Sequence, residues 1–237
     1  MRPKLKEYAR PAIEAFIRQK VEECGGNGVV VGLSGGLDSV TVSKLCADAL
    51  GPENVLNIFM PASTTSEEDR RDAEEFSNEL GIPLSVVEIA PAVEAFRSML
   101  PQPDRKECVG NVAARCRMIV LFHHAWLMGR AVMGTSNKSE LLTGYFTKFG
   151  DGGADFFPIG DLYKTEVRQL AREIGVPEAM IEKAPSAGLW PGQTDEGEMG
   201  ITYDELDQVL FGFERSLSDE AVAAETSISL AQVRKVR

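Results

Sequence analysis

The stretch "VVVGLSGGLDSV", residues 29–40, constrains the fold more than any other part of the chain. Val29 to Leu33 form an apolar run that does not alternate with polar residues. A strand of that kind is covered on both faces, as in a parallel sheet between helices. The run breaks at Ser34, Gly35 and Gly36, and a helical pattern follows from Asp38 to Ala49, ending at Gly51–Pro52. A buried strand feeding a helix through a glycine turn is the opening of a βαβ unit.

The pattern recurs. Residues 3–23 carry apolar positions at helical spacing, before the first strand. "NVLNIFMP" (54–61) reads as a second strand, 65–80 as an amphipathic helix, and "LSVVEI" (84–89) as a third strand. A long helix over 107–128 leads to a fourth strand, "RAVMGT" (130–135), and a helix start in "NKSELLTG" (137–144). Strands alternating with helices predict an α/β fold: one Rossmann-like domain over 1–237, its parallel sheet covered by helices on both faces. A length of 237 residues, 43% apolar and 26% charged, suits one such core. Segments 144–164 and 183–200 show no regular pattern but are rich in Gly, Pro, Asp and aromatics. Long irregular segments in a compact domain predict ligand-covering loops.

Composition removes several functions. A net charge of −11 repels nucleic acid, so none is expected as a partner. Cys24, Cys46, Cys108 and Cys116 form no CxxC pair, and His123 and His124 stand side by side, so neither zinc nor a disulfide framework is indicated. Cys116 lies between Arg115 and Arg117, but a small buried helix residue is the simpler reading. No apolar run approaches membrane length, which predicts a cytoplasmic protein without a membrane partner.

The glycine turn carries chemistry. Glycines let backbone N–H groups approach a ligand, and the helix start favours an anion. Ser34 and Ser39 add hydroxyl donors. The turn lacks the lysine of a Walker loop and the spacing of GxGxxG. Asp38 is the informative residue, because a carboxylate beside a phosphate cradle needs a cation such as Mg²⁺ to join them. An ordinary strand–helix turn, with Asp38 as a first-turn helix acid, also accounts for this stretch taken alone.

The turn matches SGGxDS, the signature of N-type ATP pyrophosphatases. "GNVAARCRM" (110–118), "GTSNKSELLTGYFTKFGDGGADFFPIGDLYKTEV" (134–167) and "PSAGLWPGQTDEGEMGITYDELD" (185–207) resemble, in order, the blocks of the NAD synthetase family. The resemblance runs over about residues 5–215 and is to the short, ammonia-dependent form without a glutaminase domain. It implies ATP as co-substrate, Mg²⁺, and amidation of nicotinic acid adenine dinucleotide through an adenylate. It places ATP on Gly32, Leu33, Ser34, Gly35, Gly36, Leu37, Asp38 and Ser39, with Thr135, Lys164 and Ser186. Met60 and Pro61 would neighbour adenine. Asp38 and Glu140 would hold the metal, and Arg115, Lys148 and Asp155 the dinucleotide. Asp151 and Glu198 would bind ammonium and strip its proton. Tyr145, Phe146 and Phe149 could stack on rings or belong to the core. The family is a homodimer, and the helix carrying "GNVAARCRM" is the candidate interface. One departure is the C-terminus: the chain ends in "QVRKVR", without the His-Lys tail usual in the family.

Two other classes share parts of this pattern. One is another enzyme with the same loop, such as a GMP synthetase or a tRNA-modifying sulfur transferase. The other is a catalytically silent nucleotide-binding module. Asp38, Glu140 and Lys164 together argue for an enzyme.

Overall fold

A computed structural model describes residues 1–101, 105–190 and 192–237, so Pro191 of the 183–200 segment lies outside the described residues. The elements run α1 (Ala9–Glu23), β1 (Val29–Gly32), α2 (Leu37–Leu50), β2 (Val55–Phe59), α3 (Glu67–Leu80), β3 (Leu84–Val86), α4 (Ala90–Met99), α5 (Lys106–Met128) and β4 (Ala131–Met133). Then come α6 (Lys138–Thr143), α7 (Lys164–Glu173), α8 (Glu178–Ile181), α9 (Asp195–Met199), α10 (Tyr203–Glu214), α11 (Asp219–Thr226) and α12 (Leu230–Val236).

The sheet has the order β3-β2-β1-β4, and every neighbouring pair is parallel. Val29 lies level with Val55 on one side and Ala131 on the other. Successive strand residues face opposite ways. Val29, Val31, Val55, Phe59 and Met133 pack with residues of α1, α2, α3 and α7. Val30, Leu56, Ile58 and Val132 pack with α4 and α5. Both faces are therefore covered, as the unbroken apolar runs predict. Each fully buried aliphatic side chain contributes about 1.5–3 kcal/mol.

One polar residue interrupts the buried β2. Asn57 is 0% exposed; its amide donates to Ser77 Oγ at 3.1 Å and accepts from Ser43 Oγ at 2.8 Å. These bonds satisfy it and tie the strand to α2 and α3.

The first helix starts at Ala9 rather than residue 3. Pro11 explains this, since a proline fits only the first turn of a helix. α3 starts at Glu67, where Ser66 and Asp69 form a reciprocal capping box. The 144–164 segment runs along the β4 edge. Phe156 bridges to Met133 in parallel, and Gly134 N donates to Phe156 O at 2.7 Å. The C-terminal helices add smaller clusters, one around Tyr203 and Leu206 and another around Val209 and Val222.

β1 has β2 on one side and β4 on the other, so the chain leaves its two neighbours in opposite directions. Open α/β sheets hold ligands in the crevice at that reversal, beyond the carboxyl ends of the strands.

Candidate active site

Three helix starts meet at this crevice. The first follows the glycine turn. Gly35 has φ +78°, and a Cβ there would lie 2.9 Å from Asp69 O, so the turn accepts only glycine at that position. The serines brace the rest. Ser34 N donates to Ser39 Oγ at 3.1 Å, Ser39 Oγ donates to Gly36 O at 2.9 Å, and Gly36 N donates to Ser34 Oγ at 3.3 Å. The turn is thus set as a rigid cradle at the head of α2, with Asp38 on the first helical turn.

The second start is α6. Asn137 is its N-cap and Glu140 its third residue, joined in a capping box. Glu140 N donates to Asn137 Oδ1 at 3.1 Å, and Asn137 N donates to Glu140 Oε2 at 3.2 Å. Such a box is worth ~1 kcal/mol and holds the Glu140 carboxylate in place. Asn137 Nδ2 then donates to Glu140 Oε1 at 2.8 Å and to Asp38 Oδ1 at 3.4 Å, linking the two acids.

The third start is α7, whose first residue is Lys164, 3% exposed. Its ammonium contacts Asp38 Oδ2 directly and lies 4.0 Å from Glu140 Oε1. Burial opposes the charge on Lys164, but the Asp38 and Glu140 carboxylates outweigh it and raise its pKa. Burial, with the nearby Asp38 charge, pushes the Glu140 carboxyl up to about 8. Two acids and one cation therefore leave the centre short of positive charge. The donors fit Mg²⁺: they are hard oxygens, two in number, beside a phosphate cradle. That ion is commonly bound by one or two carboxylates, completed by phosphate oxygens and water. Among the described residues, no set of three or more His, Cys, Asp or Glu gathers into a fuller protein cage.

The crevice is a cavity of about 520 Å³. Gly32 to Ser39 line it except Gly35, as do Met60, Thr135, Glu140, Asp151, Lys164, Ser186 and Glu198. Tyr145 and Phe146 also face it. Glu198 lies on α9, where its Oε2 accepts from Tyr145 OH at 2.6 Å and from Gln193 Nε2 at 3.0 Å. Asp151 accepts from Thr147 N at 3.0 Å. Ser186 Oγ donates to Gln193 O at 2.8 Å.

Three residues expected on the dinucleotide are not among those lining this cavity. Arg115 is exposed on α5 and donates from Nε to Lys148 O at 3.1 Å. Lys148 is exposed, with its ammonium 5.1 Å from the Phe149 ring centroid. Asp155 Oδ2 accepts from Val132 N at 2.8 Å, on the β4 edge.

Other side chains in the cavity were not singled out by sequence reasoning. Arg117 lines it and donates from Nε to Met60 O at 3.2 Å; burial lowers its pKa. Asp195 is 5% exposed and accepts from Tyr145 OH and Tyr203 OH at 3.3 Å each, and from Ala187 N at 3.1 Å. Burial raises the Asp195 carboxyl and both phenols, so Tyr145 and Tyr203 act as neutral donors. The one available signal for Asp195 was its place inside the 185–207 block.

Known proteins resemble the chain over most of its length. The family model described as NAD synthase matches residues 10–237. A protein of Methanococcoides burtonii named NH(3)-dependent NAD(+) synthetase is 46% identical over 96% of this chain and 88% of its own length. One of that name from Archaeoglobus fulgidus is 53% identical over 82% of this chain and 79% of its own. Among solved structures, an NMN synthetase from Francisella tularensis superposes with a TM-score of 0.85 at 34% identity, covering 97% of this chain and 90% of its own. The glycine turn, the paired acids and these likenesses agree, and the chain belongs to the NAD synthase family.

Proposed function

We propose that this chain joins ammonia to the carboxylate of nicotinic acid adenine dinucleotide, consuming ATP and releasing AMP and pyrophosphate. The observation that carries this reading is the meeting of Asp38, Glu140 and Lys164 beside the glycine turn. A free carboxylate does not react usefully with ammonia. Attack of that carboxylate on the α-phosphorus of ATP expels pyrophosphate and turns the oxide into an AMP leaving group. Ammonia then displaces AMP, so one hard step becomes two easier ones.

The residues act mainly by position and charge. Backbone N–H groups of the turn, with Ser34 and Ser39, receive the pyrophosphate. The Lys164 ammonium offsets charge gathering at the α-phosphorus. Asp38 and Glu140 would hold Mg²⁺, which would neutralise phosphate charge during the displacement. Thr135 and Ser186 hold ATP by their hydroxyls. Asp151 and Glu198 face the same cavity and are the acids proposed to take ammonium and its proton. The 183–200 segment keeps water from the adenylate, which water would otherwise hydrolyse.

Arg115, Lys148 and Asp155 fit the dinucleotide through a second subunit. Arg115, Ile119, Phe122 and Trp126 follow one another at spacings of three and four along α5, so they share one face. Ile119 is 63% exposed and Trp126 is 89% exposed. We place the homodimer contact on this stripe, with Arg115 at its end. One domain over 1–237, free ammonia as donor and a cytoplasmic setting complete the proposal. No helix among the described residues is long and apolar enough to cross a membrane.

The test is incubation with ATP, Mg²⁺ and ammonium, offering the dinucleotide and nicotinic acid mononucleotide in parallel. NAD, AMP and pyrophosphate should appear in equal amounts. Preferred use of the mononucleotide would move the substrate to that of the Francisella tularensis relative. ADP and phosphate in place of AMP and pyrophosphate would refute the chemistry.

A further inference from the structure

We infer that Asp207 is a positioning residue that sets the Lys164 ammonium against Asp38 and Glu140, acting through Ser139 and the first turn of α7. This rests on the function proposed above. Asp207 lies on α10 and is 0% exposed. Its Oδ1 accepts from Ser139 Oγ and its Oδ2 accepts from Thr165 N at 2.8 Å. Ser139 Oγ in turn accepts from Lys164 N at 3.0 Å.

The first N–H groups of a helix have no partner within it. At α7 two of them, on Lys164 and Thr165, are taken by this pair of side chains from other helices. Ser139 immediately precedes Glu140, and Thr165 immediately follows Lys164. One carboxylate therefore clasps the Ser139 hydroxyl on α6 and the Thr165 N–H on α7, the two residues next to the charged pair. It fixes α6 and α7 relative to each other at the place where their side chains must meet. Outside this clasp, Lys138 N donates to Leu162 O at 2.8 Å, and Tyr163 OH donates to Glu214 Oε2 at 2.9 Å.

A merely structural residue has no need of a buried carboxylate here. Burying a carboxylate is expensive, and a well-packed apolar residue of similar volume is often as stable or more so. What an apolar side chain cannot do is hold two donors from two helices at fixed spacing. Misplacing a reacting group by about 1 Å can cost on the order of 100-fold in rate.

The experiment compares wild type with Asp207→Asn, Ser139→Ala, Ser139→Thr and the Asp207→Asn/Ser139→Ala double variant in the full chain. It reads kcat and KM for ammonium in the AMP-forming assay, and ATP affinity by calorimetry without the acid substrate. Circular dichroism melts certify that each protein is folded. Asp207→Asn and Ser139→Ala should each lower kcat by about 10- to 100-fold, with KM for ammonium within twofold and ATP binding weakened at least fivefold. Ser139→Thr keeps the hydroxyl and should retain near wild-type kcat. The double variant should be little worse than the worse single one, because both break the same chain of bonds. Folded Asp207→Asn with kcat and ATP affinity within twofold of wild type would overturn the inference. If that variant does not fold, equal kcat in Ser139→Ala and Ser139→Thr would overturn it. Calorimetric ATP binding does not depend on which acid is amidated. A wild type that binds ATP but makes no NAD would thus refute the function proposed, while the ATP affinities of the variants still judge Asp207.

Discussion

Gly110→Ala separates the stability of the domain from the closure of its site. Gly110 is a buried residue near the start of α5, with no positive φ to protect. In a helix interior, alanine in place of glycine gains up to ~1 kcal/mol. The added Cβ would lie 2.9 Å from Leu189 Cβ and 3.0 Å from Leu189 Cδ1. Carbon atoms rest at about 3.5–4.0 Å, so one side must retreat by roughly 0.5–1 Å. α5 is anchored in the core by Ala113, Cys116 and Leu121. The segment holding Leu189 is fastened mainly by polar contacts. Thr64 Oγ1 donates to Gly188 O at 2.9 Å, Leu189 N donates to Gln193 Oε1 at 2.7 Å, and Lys183 reaches Asp69 at 2.8 Å and Asp72 at 2.6 Å. Contacts of these kinds are each worth about 1 kcal/mol or less. The covering segment should yield and the helix should not. The melting temperature should hold or rise by up to ~4 °C. Amide exchange over 185–193 should quicken by about five- to tenfold, equivalent to ~1–1.4 kcal/mol, and KM for ATP should rise. A melting temperature lowered by more than ~4 °C, with exchange in that segment unchanged, would show that the core absorbs the clash and refute the reasoning.

Lys164→Met should fold yet lose on the order of 100- to 1,000-fold in kcat, because the charge proposed to face the α-phosphorus is gone; AMP formation within tenfold of wild type contradicts this. Trp126→Glu should shift the particle toward a monomer in light scattering and raise KM for the dinucleotide, whereas an unchanged dimer would place the interface elsewhere. Burial raises the Asp207 carboxyl, so the folded state favours its protonated form. Its contribution to stability is then greatest below about pH 4 and fades as pH rises through the raised value. Wild type should therefore lose stability relative to Asp207→Asn as pH rises above about 4, and calorimetric melts showing the gap widening in favour of wild type refute it.

β1, β2 and β4 were legible because doubly buried strands lack alternation, and β1 shows this most clearly. The glycine turn was legible because glycine and an oddly placed acid are local signals. α4 was not read, although Val93 and Phe96 stand at helical spacing; among its residues only Val93 is buried, so the helix lies mostly at the surface. The site itself is non-local. Lys164 and Asp38 are 126 residues apart, and Asn137 and Asp38 are 99 apart. Their identities could be taken from motif resemblance, but their meeting follows from the strand order. Asp195 and Asp207 escaped notice because an acid on a helix usually faces water, and only burial and remote donors distinguish these two. Arg115 shows the converse. Its motif resemblance implies a place on the dinucleotide, yet the chain leaves it on an exposed helix face.

The sheet order also bears on how the chain is made. β1 is a central strand, but the neighbour on its second side, β4, leaves the ribosome only after all of α2 through α5. Until then the growing chain carries an apolar strand with one open edge, the kind that pairs wrongly with other chains. Pairing of β2 with β1 protects one side early, while the other waits on a distant partner, which slows folding. Synthesis stalled within α5 should therefore yield an aggregation-prone fragment, and release beyond β4 should be the point at which the nascent domain becomes resistant to protease.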